Sequence, residues 1–182
     1  MRGFVSYYAL SLKLAFYIAL IFGVIAAIIV LRSRDARQAA RYVSRVLAVG
    51  SVFVIFVATG LPRDWPLEWG AGELRLALGH GGLQDWRDLL REPNTLDSLL
   101  IVLNVALYAP LAFFGTLGWR RHPWAVLGFC LLVSLGVEAA QLLVLDGFAA
   151  TDDVLLNFSG AIAGTMLGVI AVRRPPRPRP AG

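Results

Sequence analysis

Glu138 stands inside a long apolar run, where a carboxyl group costs about 2.5 to 3.5 kcal/mol to insert into hydrocarbon and so needs partners, water or a task. Ser134 precedes it by four residues and Gln141 follows by three, a spacing that puts all three on one face of a helix. A second polar set opens a later apolar run: Asp152 and Asp153, with Asn157 one turn beyond Asp153 on the same face. A third run carries Asn104 and, one turn on, Tyr108. Carboxylates, carboxamides and hydroxyls offer both donors and acceptors. Brought together, they suit hydrogen-bonded recognition of a polar head, or proton transfer with Glu138 as general acid or base. Alternatively, they are interhelical glue, each bond worth about 0.6 to 2 kcal/mol. Glue alone does not call for an ionisable group, since Gln would serve.

Other chemistries lack their residues. No Ser-His, metal-ligand or phosphate-loop pattern is present, and His80 and His122 have no co-ligands near them, so neither a metal nor a cofactor is expected. Cys130, the single cysteine, forms no internal disulfide and reads as a small apolar filler.

The elements that must position these groups are membrane spans. The 182 residues are 58% hydrophobic and 16% charged, with a mean hydropathy of +0.68, outside the range of soluble globular chains. A helix crosses a bilayer in roughly 20 apolar residues, and five stretches qualify: 14–31, 43–61, 99–117, 124–145 and 154–172. The expected fold is an all-α, polytopic membrane bundle of about five transmembrane helices in a single integral domain spanning 1–182. Arg32, Ser33 and Arg34 follow the first span where a signal peptide would have small residues, so cleavage is not expected. The net charge of +5 does not point to nucleic acid, because the basic residues fall in short clusters between apolar runs.

Those clusters set orientation. Arg32, Arg34, Arg37 and Arg41 follow the first span, with Arg45 at the membrane edge; Arg120 and Arg121 lie between the third and fourth, and Arg173, Arg174, Arg177 and Arg179 after the fifth. The three segments alternate, so they share the cytoplasmic side, with the N-terminus outside and the C-terminus cytoplasmic. The 62–97 segment, with four Arg against seven acidic residues, becomes an extracytoplasmic loop, and 173–182 a cytoplasmic Pro/Arg tail. Within the loop, Leu83, Trp86, Leu89 and Leu90 predict an interfacial amphipathic helix, and Trp65, Trp69 and Trp86 an aromatic belt. The alternation from Glu73 to Leu78 is too short to decide strand from helix. Cysteine substitutions at Gly81 and Ala149 should therefore label from outside, and those at Arg37 and Arg177 only after permeabilisation. Labelling of Gly81 and Arg37 from one side would remove the five-span arrangement.

Counted inward at about 1.5 Å per residue from the outer end of each span, Asn157 lies about 6 Å deep, Asn104 about 9 Å and Glu138 about 10 Å. All three reach one outer-leaflet layer, below an acidic rim of Asp152 and Asp153. The expectation is a polar pocket opening outward. Asn157, Gly160, Gly164 and Gly168 also share a stripe of small residues, which predicts a close helix contact.

Three blocks in order, Asn104 to Pro110 (N-x-x-x-Y-x-P), Ser134 to Gln141 (S-x-x-x-E-x-x-Q) and Asp152 to Gly164 (D-D-x-x-x-N-x-x-G-x-x-x-G), resemble the VanZ-like family of small bacterial membrane proteins. The resemblance covers a three-helix core, 97–172. It departs at Ala112, where the family has Gly two residues after the Pro, and at Gly147 and Ala150, where it places Arg and an acidic residue before the acidic pair. The resemblance implies a multi-pass protein of the bacterial cytoplasmic membrane. It also points to the antibiotic resistance for which the family is named, against the lipoglycopeptide teicoplanin, with no reaction assigned.

Two functions follow. The favoured one is binding of, or shielding against, amphiphiles at the cell envelope, with membrane lipids or a lipid-linked envelope molecule as partner and Asn104, Tyr108, Ser134, Glu138, Gln141, Asp152, Asp153 and Asn157 forming the site. The other is an intramembrane enzyme on a lipid-linked envelope substrate with Glu138 as general acid or base. A transporter is disfavoured, as five spans show no inverted repeat. The sequence leaves oligomeric state open.

Overall fold

The structure is a computed structural model and describes residues 2–59, 73–75, 96–119, 122–143 and 148–173. The helices are α1 (Arg2–Arg32), α2 (Ala36–Thr59), α3 (Leu96–Trp119), α4 (Pro123–Leu143) and α5 (Thr151–Arg173). Among the described residues, all five are long and apolar enough to cross a membrane. The spans fall where hydropathy places them, with ends set by local chemistry. Asp35 Oδ1 accepts a 2.8 Å bond from the Arg37 amide, capping the start of α2. The His122 carbonyl accepts the Ala125 amide at 2.9 Å, with Pro123 at the first helical position of α4, where a missing N–H costs nothing.

The helices enclose a small core in which Ile55, Tyr108, Ala112, Cys130 and Ala161 are each at most 1% exposed. Helix α3 lies at its centre, against α2 on one side and α5 on another, while α1 packs chiefly on α2. In that outer contact Gly50 accommodates the Phe22 ring, 2.6 Å from where a Cβ would stand. The Phe22 ring in turn stacks on Phe53, with centroids 5.8 Å apart. Apolar side chains elsewhere on α1, including Phe16, Leu20 and Leu31, point outward, as expected of a helix bathed in lipid.

The small-residue stripe is a packing face. A Cβ on Gly160 would collide with the Val105 carbonyl and one on Gly164 with that of Ala109, while one on Gly168 would stand 2.8 Å from Thr116 Cβ. The absent side chains thus let the backbones of α3 and α5 touch. Ala112 is completely buried and its carbonyl accepts the Thr116 hydroxyl at 2.8 Å. This departure from the family pattern is a matter of core packing.

Two three-residue strands, β1 (Glu73–Arg75) and β2 (Phe148–Ala150), pair in parallel, with Leu74 opposite Ala149 and Arg75 opposite Ala150. Strand β2 runs directly into α5, so the ladder fastens part of the long α2–α3 connection to the helix that carries Asp152, Asp153 and Asn157. The Glu73 to Leu78 alternation, undecided by sequence, is strand over its first three residues. The interfacial helix expected from Leu83, the tryptophan belt, His80 and the 174–182 tail lie outside the described residues.

Candidate functional site

The predicted polar residues gather where α3 and α5 begin and α4 ends, below the β1–β2 ladder. The contacts form two tiers. In the upper one, Asn104 Nδ2 of α3 donates to Asp153 Oδ1 of α5 at 2.9 Å, both side chains half-buried. Asp152 and Asp153 occupy the first turn of α5, where carboxylates also complement the positive end of the helix dipole.

The lower tier is buried. Asn157 Nδ2 of α5 donates to Ser134 Oγ of α4 at 3.0 Å, with the two residues 4% and 1% exposed. Tyr108, one turn below Asn104 on α3, brings its hydroxyl within electrostatic reach of Ser134 and Glu138. Glu138 itself is 8% exposed. Two atoms of this tier, Tyr108 Oη and Asn157 Oδ1, are buried without a hydrogen bond of good geometry among the described residues. Pro110 follows in the same helix and deprives the Ala106 carbonyl of its helical donor. Tyr108 therefore sits beside a locally weakened stretch of helix.

The sequence placed Asn104, Glu138 and Asn157 in one layer. The structure staggers them, because Asn104 meets the first turn of α5 while Asn157 meets α4 one turn deeper than Glu138. Gln141 leaves the group. Its Nε2 donates to the carbonyl of Thr59, the last residue of α2, at 3.1 Å, so it ties α4 to α2. Its Oε1 is buried without a hydrogen-bond partner among the described residues.

Sequence reasoning passed over two polar features. Thr165, 3% exposed on α5, has a buried hydroxyl without a hydrogen-bond partner among the described residues; its signal is a lone threonine in mid-span. Arg45, expected only to reach the interface, donates from Nε to the Gly118 carbonyl in the last turn of α3 at 3.0 Å. Its guanidinium lies 5.8 Å from the Tyr42 ring centroid and 5.9 Å from that of Trp119.

No group of three or more His, Cys, Asp and Glu side chains suited to a metal occurs among the described residues. The hydrogen bonds described in the cluster join carboxamide, carboxylate and hydroxyl side chains. Backbone register also places residue 75 of β1 opposite Ala150, immediately before the α5 acidic pair. Strand β1 therefore meets the chain at Ala150, where the sequence pattern departs from the family, just before α5 begins.

No curated protein and no solved structure matches the chain. The family model described as VanZ/LLP1 matches residues 14–172, extending the likeness from the three C-terminal blocks back into α1, and the chain belongs to that family.

Proposed function

We propose that this multi-pass membrane protein binds, or shields the cell against, amphiphiles at the outer face of the bacterial cytoplasmic membrane, with the Glu138 cluster receiving the polar or cationic head. One observation carries the reading. The lower tier holds an ionisable carboxyl together with the Tyr108 hydroxyl, close to Ser134 and Glu138, and Asn157 Oδ1, a buried acceptor without a hydrogen-bond partner among the described residues. An unsatisfied buried polar atom costs about 1 to 3 kcal/mol, and this one, unlike that of Thr165, shares its tier with a carboxyl group. A site for a ligand head keeps such an acceptor in reserve. The half-buried Asn104–Asp153 pair above supplies an acidic entrance that favours a cationic or hydroxyl-rich head, while the apolar flanks of the bundle suit its tail. The resistance to a lipid-tailed glycopeptide associated with the family is of this chemical kind.

Gentle extraction followed by native mass spectrometry, on wild type and Glu138→Gln, tests the proposal. Wild type should carry an amphiphile of unaltered mass, and the variant should lose it. A chemically converted species that disappears in the variant would favour the enzymatic alternative, with Glu138 as general acid or base acting beside the Tyr108 hydroxyl. Equal retention by both proteins would overturn either reading.

A further inference from the structure

At the opposite end of the bundle, far from Glu138, a second combination of features occurs. An apolar cavity of about 260 Å³ opens between α2, α3 and α4, lined by Val49, Val52, Leu111, Gly115, Trp119 and Val126. Val49 and Trp119 are each 43% exposed, so the cavity meets the lipid-facing surface. A polar recess of about 150 Å³ adjoins it, formed by Gln38, Arg41, Tyr42 and Arg45. The two meet where the Arg45 guanidinium lies 5.9 Å from the Trp119 ring centroid. The Arg45 bond to the Gly118 carbonyl fixes that guanidinium between recess and cavity.

Charge decides what fits. Arg37, Arg41 and Arg45 recur every four residues and share a face of α2; Asp35 at the helix start is bonded to the Arg37 amide, and neither 36–59 nor 111–129 contains a further Asp or Glu. A cationic recess joined to an apolar slot matches a molecule with an anionic head and a hydrocarbon tail. We infer that this face is a binding site for an anionic diacyl phospholipid, with Arg41, Arg45 and Tyr42 on the phosphate and an acyl chain in the α2–α3–α4 cavity. The inference is independent of the Glu138 site and of its ligand.

The test is native mass spectrometry of the purified full chain titrated with palmitoyl-oleoyl phosphatidylglycerol, or with phosphatidylcholine of the same chains. Each basic contact to an anionic membrane surface is worth about a fivefold change in binding. Wild type should retain phosphatidylglycerol over phosphatidylcholine. Arg41→Gln, an exposed position, should lower phosphatidylglycerol retention about fivefold with an unchanged melting curve. Arg34→Gln, outside the recess, should not. Ala125→Phe, which intrudes on the cavity from α4, should weaken both lipids. Equal retention of the two lipids by wild type, or undiminished phosphatidylglycerol retention by Arg41→Gln, would overturn the site. Displacement of the lipid by inorganic phosphate, with Ala125→Phe behaving as wild type, would mean a soluble anion is the ligand and would overturn the lipid assignment.

Discussion

Gly164→Leu should abolish most of the folded yield. A Cβ at this position would collide with the Ala109 carbonyl oxygen and stand 2.9 Å from the carbonyl carbon and 3.0 Å from Cα of the same residue. Those atoms are helix backbone, so no rotamer change relieves the clash; α3 and α5 must separate. Separation removes the contact that holds Asn104 at Asp153 and displaces the helix that carries Asn157, so helix packing and the upper polar tier fail together. Ordinary overpacking costs about 1 to 3 kcal/mol where side chains can yield, and here they cannot. Ile170 lies on the same helix but is 50% exposed, so Ile170→Leu should shift stability by less than about 0.5 kcal/mol. Monodisperse yield on fluorescence-detected size exclusion measures both, and equal yields would remove the close α3–α5 contact.

The second large effect is on function. Glu138→Gln keeps the length of the side chain and a polar group at its end. Removing a buried ionisable group relieves the cost of holding it out of water, so the variant should fold, with a melting temperature at or above that of wild type. What it loses is the charge and the titratable proton. If the cluster receives a cationic or hydroxyl-rich head, ligand capture falls sharply in a protein that is otherwise intact. Asn157→Ala should show the opposite balance. It removes the donor to Ser134 from a site only 4% exposed and should lower stability by about 1 to 3 kcal/mol whatever the function.

The parts of this molecule that the sequence made legible are those written in local periodicity. Five apolar runs became five helices, and the glycines at 160, 164 and 168 became the surface on which α3 lies, because a missing side chain at helical spacing has few other uses. That Asn157 faces the polar side of α4 was legible in helical spacing, but its partner, Ser134, lies a turn below the layer that depth counting assigned. The contacts that escaped have backbone partners. Gln141 bonds the Thr59 carbonyl and Arg45 the Gly118 carbonyl, and every residue has a carbonyl, so no residue type announces these acceptors. The β1–β2 ladder escaped for a different reason. Three residues are too few to establish an alternation, and the strands belong to distant parts of the chain whose meeting depends on how the helices assemble. The stagger of the polar tiers was hidden because counting rise assumes that all helices start at one height, whereas hydrogen-bond reach between α3, α4 and α5 fixes the actual offsets.

The central claim is that Glu138 serves a ligand and is more than a strut between helices. The most direct measurement compares wild type and Glu138→Gln, at matched membrane levels and with melting temperatures recorded on the same preparations, for protection of cells against a lipid-tailed glycopeptide. The account predicts that the variant is folded and has lost protection. A folded Glu138→Gln protein that protects as fully as wild type would contradict it and return the cluster to interhelical glue.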